Sequence, residues 1–273
     1  LAEDIREAAI NEFDGAVEVK QFGGESQMKI TTQYKVEEES TEADAEVEAK
    51  LYNALKGFFA EQLTFDEFRS TLENPNGIIS SDKVGPTIAN DMKRDAIIAV
   101  VIALIAIFIY IAFRFKKWTW GFGGVMGLAH TAVIVIGFFS LFSGILPFSL
   151  DVDQTFIAAV LTIIGYAIND TVVIFDRIRE YKTLHPKMPL DVNANEALNS
   201  TLSRTMNTSL TTLIVMVAIA IFGGEVIRGL AVALILGIAV GTYASLFIAT
   251  PLMYDVTCWA EKRKAAKDAQ NRK

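Results

Sequence analysis

Residues 96–113 read AIIAVVIALIAIFIYIAF, an uncharged run close to the length that crosses a bilayer core as one helix. Four further apolar stretches follow, at about 121–144 (beginning GFGGVMGLAH), 154–176, 206–223 and 229–251. Hydropathy therefore predicts five membrane-spanning helices. The fourth opens on Thr, Ser and Asn and is continuously apolar only from Leu213.

What precedes the first span differs in kind. Residues 1–94 hold 10 basic and 20 acidic side chains, whereas residues 95–273 hold 15 and 12. The 273-residue chain as a whole is 52% hydrophobic yet 21% charged. That combination suits an acidic water-facing module joined to a membrane domain, and neither a soluble enzyme nor a uniformly buried protein. The reading divides the chain into 1–94, a membrane domain at 95–256 and a basic tail at 257–273. An odd number of spans puts the two ends on opposite sides. If residues 1–94 lie outside, 14 basic residues fall in inner segments and only Lys93, Arg94 and Arg228 lie outside near the membrane. Positive residues concentrate on the cytoplasmic side, so the module is expected to be external and the tail cytoplasmic. Residues 145–153 and 224–228 are then short outer connections.

In the module, Ile5, Ala8, Ala9 and Phe13 share one side of a predicted helix over 2–14. Ala16–Phe22 and Met28–Val36 read as strands around a Gly23-Gly24 turn. Thr41 precedes a helix over 42–60 with Val47, Leu51, Leu55 and Phe58 at helical spacing. The fold class is a small α+β module ahead of an all-α membrane bundle. The acidic run at Glu37-Glu38-Glu39 reads as a solvated surface. The lone Cys258 and the separated His130 and His185 offer no metal or nucleophile constellation, so no metal, cofactor or enzyme chemistry is expected. Gly123-x-x-x-Gly127 and Gly237-x-x-x-Gly241 read as close-packing sites between helices.

The chemistry concentrates in the third and fourth spans. Asp170 sits about six residues, roughly 9 Å, before the inner end of its helix, too deep for a short side chain to reach the headgroups. Tyr166 lies one turn earlier on the same face and Asn169 is adjacent. In the fourth span Arg204, Asn207, Thr208, Thr211 and Thr212 share one helical face, which is expected to line a bundle interior or hydrated cavity. A facing Asp170–Arg204 pair would offset the cost of both charges. Arginine stays protonated, so the acid is the candidate proton carrier; a static ion pair is the competing reading. Asp176 and Arg177 read as inner-interface residues, and Asp151 and Asp153 as helix-entry residues.

Ala167-Ile168-Asn169-Asp170-Thr171-Val172-Val173-Ile174-Phe175-Asp176-Arg177-Ile178-Arg179-Glu180 resembles the signature of the SecF family, membrane subunits of the SecDF protein-export accessory complex. Val84-Gly85-Pro86, the segment from Leu202 to Ser209, and the segment from Gly223 to Gly229 match the same family in order and spacing. The resemblance implies a resistance–nodulation–division architecture with a ferredoxin-like external module and six spans per half, of which the first would precede Leu1. It implies a proton pathway through Asp170 and Arg204, with Tyr166, Asn169, Asn207 and Thr208 as supporting polar residues and protons as the coupling ion. The implied partners are a SecD half or subunit, the SecYEG channel, exported unfolded polypeptide and membrane lipid, with no nucleic acid. The implied location is the bacterial inner membrane. A static translocon scaffold and a small-molecule exporter of the same superfamily are the alternatives.

Overall fold

The computed structural model describes residues 2–13, 17–22, 27–38, 40–59, 63–70, 76–83, 85–142, 150, 154–223 and 225–271. The Gly23-Gly24 turn and the acids Asp151 and Asp153 lie outside the described residues. The chain divides into two compact units, the first ending at Asp95 and the second beginning at Ala96.

In the first unit, helix α1 (Ala2–Phe13) is followed by an antiparallel pair, β1 (Val17–Gln21) and β2 (Met28–Thr32), with Val19 opposite Ile30. Helix α2 (Thr41–Leu55) and the short α3 (Phe65–Arg69) complete it. Strand alternation sends Val17 and Val19 to one face, where they join Ala9, Phe13, Ile30, Val47, Leu51 and Ala54 in a small core. Three details depart from expectation, the first being that the helix expected over 42–60 ends at Leu55. The strand expected to reach Val36 ends at Thr32, and the chain turns through 34–37 with Lys35 in the left-handed region at φ 50°. The cap of α2 is Ser40 rather than Thr41: its hydroxyl accepts from the Ala43 N–H at 3.1 Å, satisfying a first-turn donor.

In the membrane domain α4 (Pro86–Phe115), α5 (Trp118–Phe142), α6 (Gln154–Leu184) and α7 (Leu190–Phe222) are followed by α8 (Glu225–Ala244), a π-helical turn at Ser245–Ala249, and α9 (Thr250–Gln270). The last three form one continuous helical segment. Among the described residues, five helical segments are long and apolar enough to cross a membrane, the last being Ile227–Gln270. The π turn has a local cause. Pro251 has no N–H to bond four residues back, and its ring would press on the carbonyl of Phe247. Widening the preceding turn relieves that clash, and the Thr250 hydroxyl donates to the Ser245 carbonyl at 2.9 Å.

Several helices extend well past the apolar stretches that mark them. α6 runs on to Leu184, α7 begins at Leu190, and α9 carries the basic tail as helix to Gln270. Packing is tightest where small residues meet. A Cβ added at Gly123 would lie 2.6 Å from the Met253 Cβ and 2.7 Å from the Ala249 carbonyl oxygen. The α5 backbone therefore lies directly against the π turn and the start of α9. Gly237 is likewise filled by the Ile163 side chain, bringing α8 onto α6. At the charged end of the bundle, Phe115, Trp120 and Phe175 cluster with ring centroids 5.0–5.8 Å apart. There Arg114 pairs with Asp176 at 3.0 Å, tying α4 to α6, while Arg179 holds the other Asp176 oxygen at 2.9 Å.

Candidate functional site

Asp170 is 5% exposed, in the half of α6 that packs on both α7 and α8. Its Oδ2 accepts hydrogen bonds, each at 3.5 Å, from the Ser209 hydroxyl of α7 and the Thr242 hydroxyl of α8. Those two hydroxyls are 2.6 Å apart. Three oxygens from three helices thus form a closed triangle. The next turn of the same interface adds the Thr171 and Ser245 hydroxyls, 2.8 Å apart, with Ser245 also donating to the Gly241 carbonyl at 3.0 Å. Among the described residues no cation lies within 4.0 Å of the Asp170 carboxylate.

The expected Asp170–Arg204 pair is therefore not formed, and helical phase explains why. Buried Thr201, Thr205 and Ser209 recur every four residues and define the inward face of α7. Arg204 precedes Ser209 by five residues, about 7.5 Å along the axis, and lies on a different face. Instead of facing Asp170 it lines an open groove of about 750 Å³ between α6 and α7, with Asp176, Arg177, Glu180 and Ser200. Within that groove Arg177 bonds Ser200 at 3.0 Å and Glu180 at 2.8 Å.

The supporting residues divide the same way. Asn207 and Thr208 are exposed beside Arg204, and the Thr208 hydroxyl turns back to the Arg204 carbonyl at 2.9 Å. Thr211 and Thr212 also bond carbonyls of their own helix. Thr hydroxyls satisfied this way need no partner outside their helix. Tyr166 bridges from α6, its hydroxyl 3.4 Å from the Thr208 carbonyl and 3.2 Å from the Thr212 hydroxyl. Asn169 is exposed on the α6 side of the same surface. Among the described residues the face expected to line an interior is thus exposed: a polar strip made by Asn169, Arg204, Asn207 and Thr211. The residues that meet Asp170, Ser209 and Thr242, were not singled out from sequence. The available signal was Thr242 and Ser245, two hydroxyls three residues apart on one face of an otherwise apolar span.

The family model for the protein export membrane protein SecD/SecF, C-terminal, matches residues 65–259. The chain belongs to this SecD/SecF family. Asp170, Arg204, Ser209 and Thr242 all fall inside the matched stretch. SecF of Rhodothermus marinus is 49% identical over 193 residues, covering 71% of this chain and 62% of that protein. SecDF of Thermus thermophilus is 42% identical over 205 residues, covering 75% of this chain and 26% of that one. A crystal structure of SecDF in a super-membrane-facing form aligns with TM-score 0.57 and 40% identity, covering 70% of this chain and 24% of its own. The match to this SecD/SecF-family chain thus spans under two thirds of the SecF relative and about a quarter of the SecDF chains.

Proposed function

We propose that this chain works as a membrane subunit of the Sec protein-export machinery, in which proton flow through the membrane domain moves the external module and assists late polypeptide translocation. The observation that carries this reading is Asp170: a carboxyl buried among three helices, held by hydroxyls and by no cation among the described residues. A charge in that position is costly. A group that changes charge there changes how α6, α7 and α8 hold one another. With a proton, Asp170 can donate to the Ser209 or Thr242 oxygen; without it, it only accepts. Gain and loss of one proton therefore rewire the α7–α8 contact, a two-state element of the kind that coupling requires.

Arg204 remains charged in the open groove and steers rather than carries the proton. The groove is the entry on the basic, cytoplasmic side, and the acidic module faces the periplasm, in keeping with the distribution of Lys and Arg. The exposed polar strip at Asn169, Arg204, Asn207 and Thr211 is the surface for a SecD half or subunit, since a polar strip at membrane depth is costly against lipid. The remaining partners are the SecYEG channel and the exported unfolded chain, in the bacterial inner membrane.

The test is Asp170→Asn in the full complex. Asn keeps the size and still accepts from Ser209 and Thr242, so co-purification with the SecD partner is expected to survive. Proton-dependent export is expected to fall to the level of a strain lacking the subunit. Normal export by an assembled Asp170→Asn complex would leave a static scaffold as the remaining reading.

A further inference from the structure

At the charged end of the bundle, a second groove of about 410 Å³ opens between the start of α5 and the helical tail of α9. Trp118, Trp259, Ala260, Arg263, Lys264 and Lys267 line it. Trp259, Arg263 and Lys267 recur every four residues, so one face of α9 carries an indole followed by two cations. Trp118, the first residue of α5, faces this stripe.

Both indoles are large apolar groups left half in the open, at 50% and 53% exposure. The buried Thr119 and Thr257 hydroxyls, 2.8 Å apart, pin α5 to α9 beside them, and Lys117 holds Glu261 at 3.0 Å just outside. Glu261 is thereby engaged. Among the described residues Arg263, Lys264 and Lys267 have no acid within 4.0 Å. The Arg263 guanidinium stacks 5.2 Å from the Trp259 ring, which orients it and leaves its N–H groups for an acceptor.

We propose that this groove binds the headgroup of an anionic phospholipid of the cytoplasmic leaflet, with phosphate against Arg263, Lys264 and Lys267 and the glycerol and first acyl carbons against Trp118 and Trp259. Three sources of positive charge and two indoles at the end of two spans match that ligand in charge and amphipathic character. The groove holds on the order of a dozen waters at ~30 Å³ each, more room than a bare phosphate needs. The assignment to the cytoplasmic leaflet rests on the orientation proposed above; the chemistry of the site does not.

The chain is placed in phosphatidylcholine nanodiscs containing small amounts of acyl-brominated phosphatidylglycerol or, in the control, acyl-brominated phosphatidylcholine, and tryptophan fluorescence is followed. Both leaflets of a nanodisc are equivalent, so a wrong orientation leaves this result untouched. The expected result is half-maximal quenching at roughly thirty- to hundredfold lower mole fraction of phosphatidylglycerol than of phosphatidylcholine, the preference that two or three cations near a lipid phosphate provide. The triple variant Arg263→Gln, Lys264→Gln, Lys267→Gln is expected to lose that preference, with helicity by circular dichroism unchanged. Trp259→Phe is expected to reduce the quenched amplitude while keeping the preference through Trp118. Equal quenching by the two lipids, or a preference that survives the triple variant, overturns the site.

Discussion

Two carboxylates, one in each unit, are each held by two side-chain donors, and they are built in opposite ways. Glu46, on α2 of the acidic module, takes the Lys35 ammonium at 2.7 Å and the Tyr34 phenol at 2.6 Å. Its bonds are short, one partner is a cation, and the side chain is partly exposed. The Lys35 bond first, and then the Tyr34 bond, hold its pKa below the ordinary 4.5, while the same contacts raise those of Lys35 and Tyr34. Asp170 has two neutral hydroxyls at 3.5 Å and almost no exposure. The first arrangement fixes a charge where it is cheap. The second surrounds a carboxyl with groups that both donate and accept, so either protonation state finds a partner. Solvated structure needs only the former; a proton site in a membrane needs the latter.

The largest effect on this contrast is expected from stripping the buried site of its donors. Ser209→Ala with Thr242→Val removes both hydroxyls and leaves Asp170 without a side-chain partner, at a cost of about 1–3 kcal/mol. Thermal unfolding in detergent at neutral pH should show that loss. The loss should shrink sharply when Asp170→Leu is added, because the group that both hydroxyls satisfy is then gone. Additive losses would mean that the hydroxyls serve only their own helices.

Next comes the packing that keeps the membrane unit tight. Gly123→Val places methyl groups where the Met253 side chain and the Ala249 carbonyl already lie, and is expected to destabilise by about 1–3 kcal/mol. The same detergent melt measures it. An unchanged melt would show that α5 can move away from the π turn without penalty.

The smallest effect is expected at Glu46. A carboxylate whose pKa is depressed by folding stabilises above its unfolded value and loses that contribution as pH falls through the folded value. Glu46→Gln is therefore expected to weaken the module at pH 7, visible as faster amide exchange in β2 and α2. The difference from the parent should close below pH 4.5. Added salt should reduce it, since the pair is partly exposed. A difference that persists in acid would assign the effect to packing of α2 rather than to charge.

Much of this was legible in the sequence, for reasons that differ by region. The spans announce themselves because lipid demands long uncharged helices, and Asp170 stands out because it breaks that demand. Where the helices end was not legible from hydropathy. Residues 252–270 are rich in Ala and Lys, which keep a helix going after the apolar requirement stops, whereas residues 190–205, rich in Asn, Ser and Thr, are helical where Asn193, Ala194, Ala197, Thr201 and Thr205 are buried by packing. The π turn was hidden for a related reason: Pro251 marks a disturbance, but only packing decides between a kink and a widened turn.

The Asp170–Arg204 pairing failed on phase. Arg204 and Ser209 belong to one polar stretch, and periodicity grouped Arg204 with Asn207 and Thr208 correctly. It did not say which of two polar faces turns inward. Small hydroxyls fit between packed helices whereas a guanidinium does not, so Thr201, Thr205 and Ser209 went in and Arg204 stayed at the groove. The partner from α8 lies 72 residues from Asp170; no local pattern reaches that far.

In the proposed function Asp170 itself takes up and releases a proton inside the membrane unit. Infrared difference spectroscopy of the membrane-embedded chain across a pH titration reads that event directly, as the carbonyl stretch of a protonated carboxyl group. One band is expected in the region of a sequestered carboxylic acid that changes with pH, is missing in Asp170→Asn, and shifts in frequency when Ser209 and Thr242 lose their hydroxyls. A spectrum in which Asp170→Asn removes no pH-dependent carboxyl band would contradict that role.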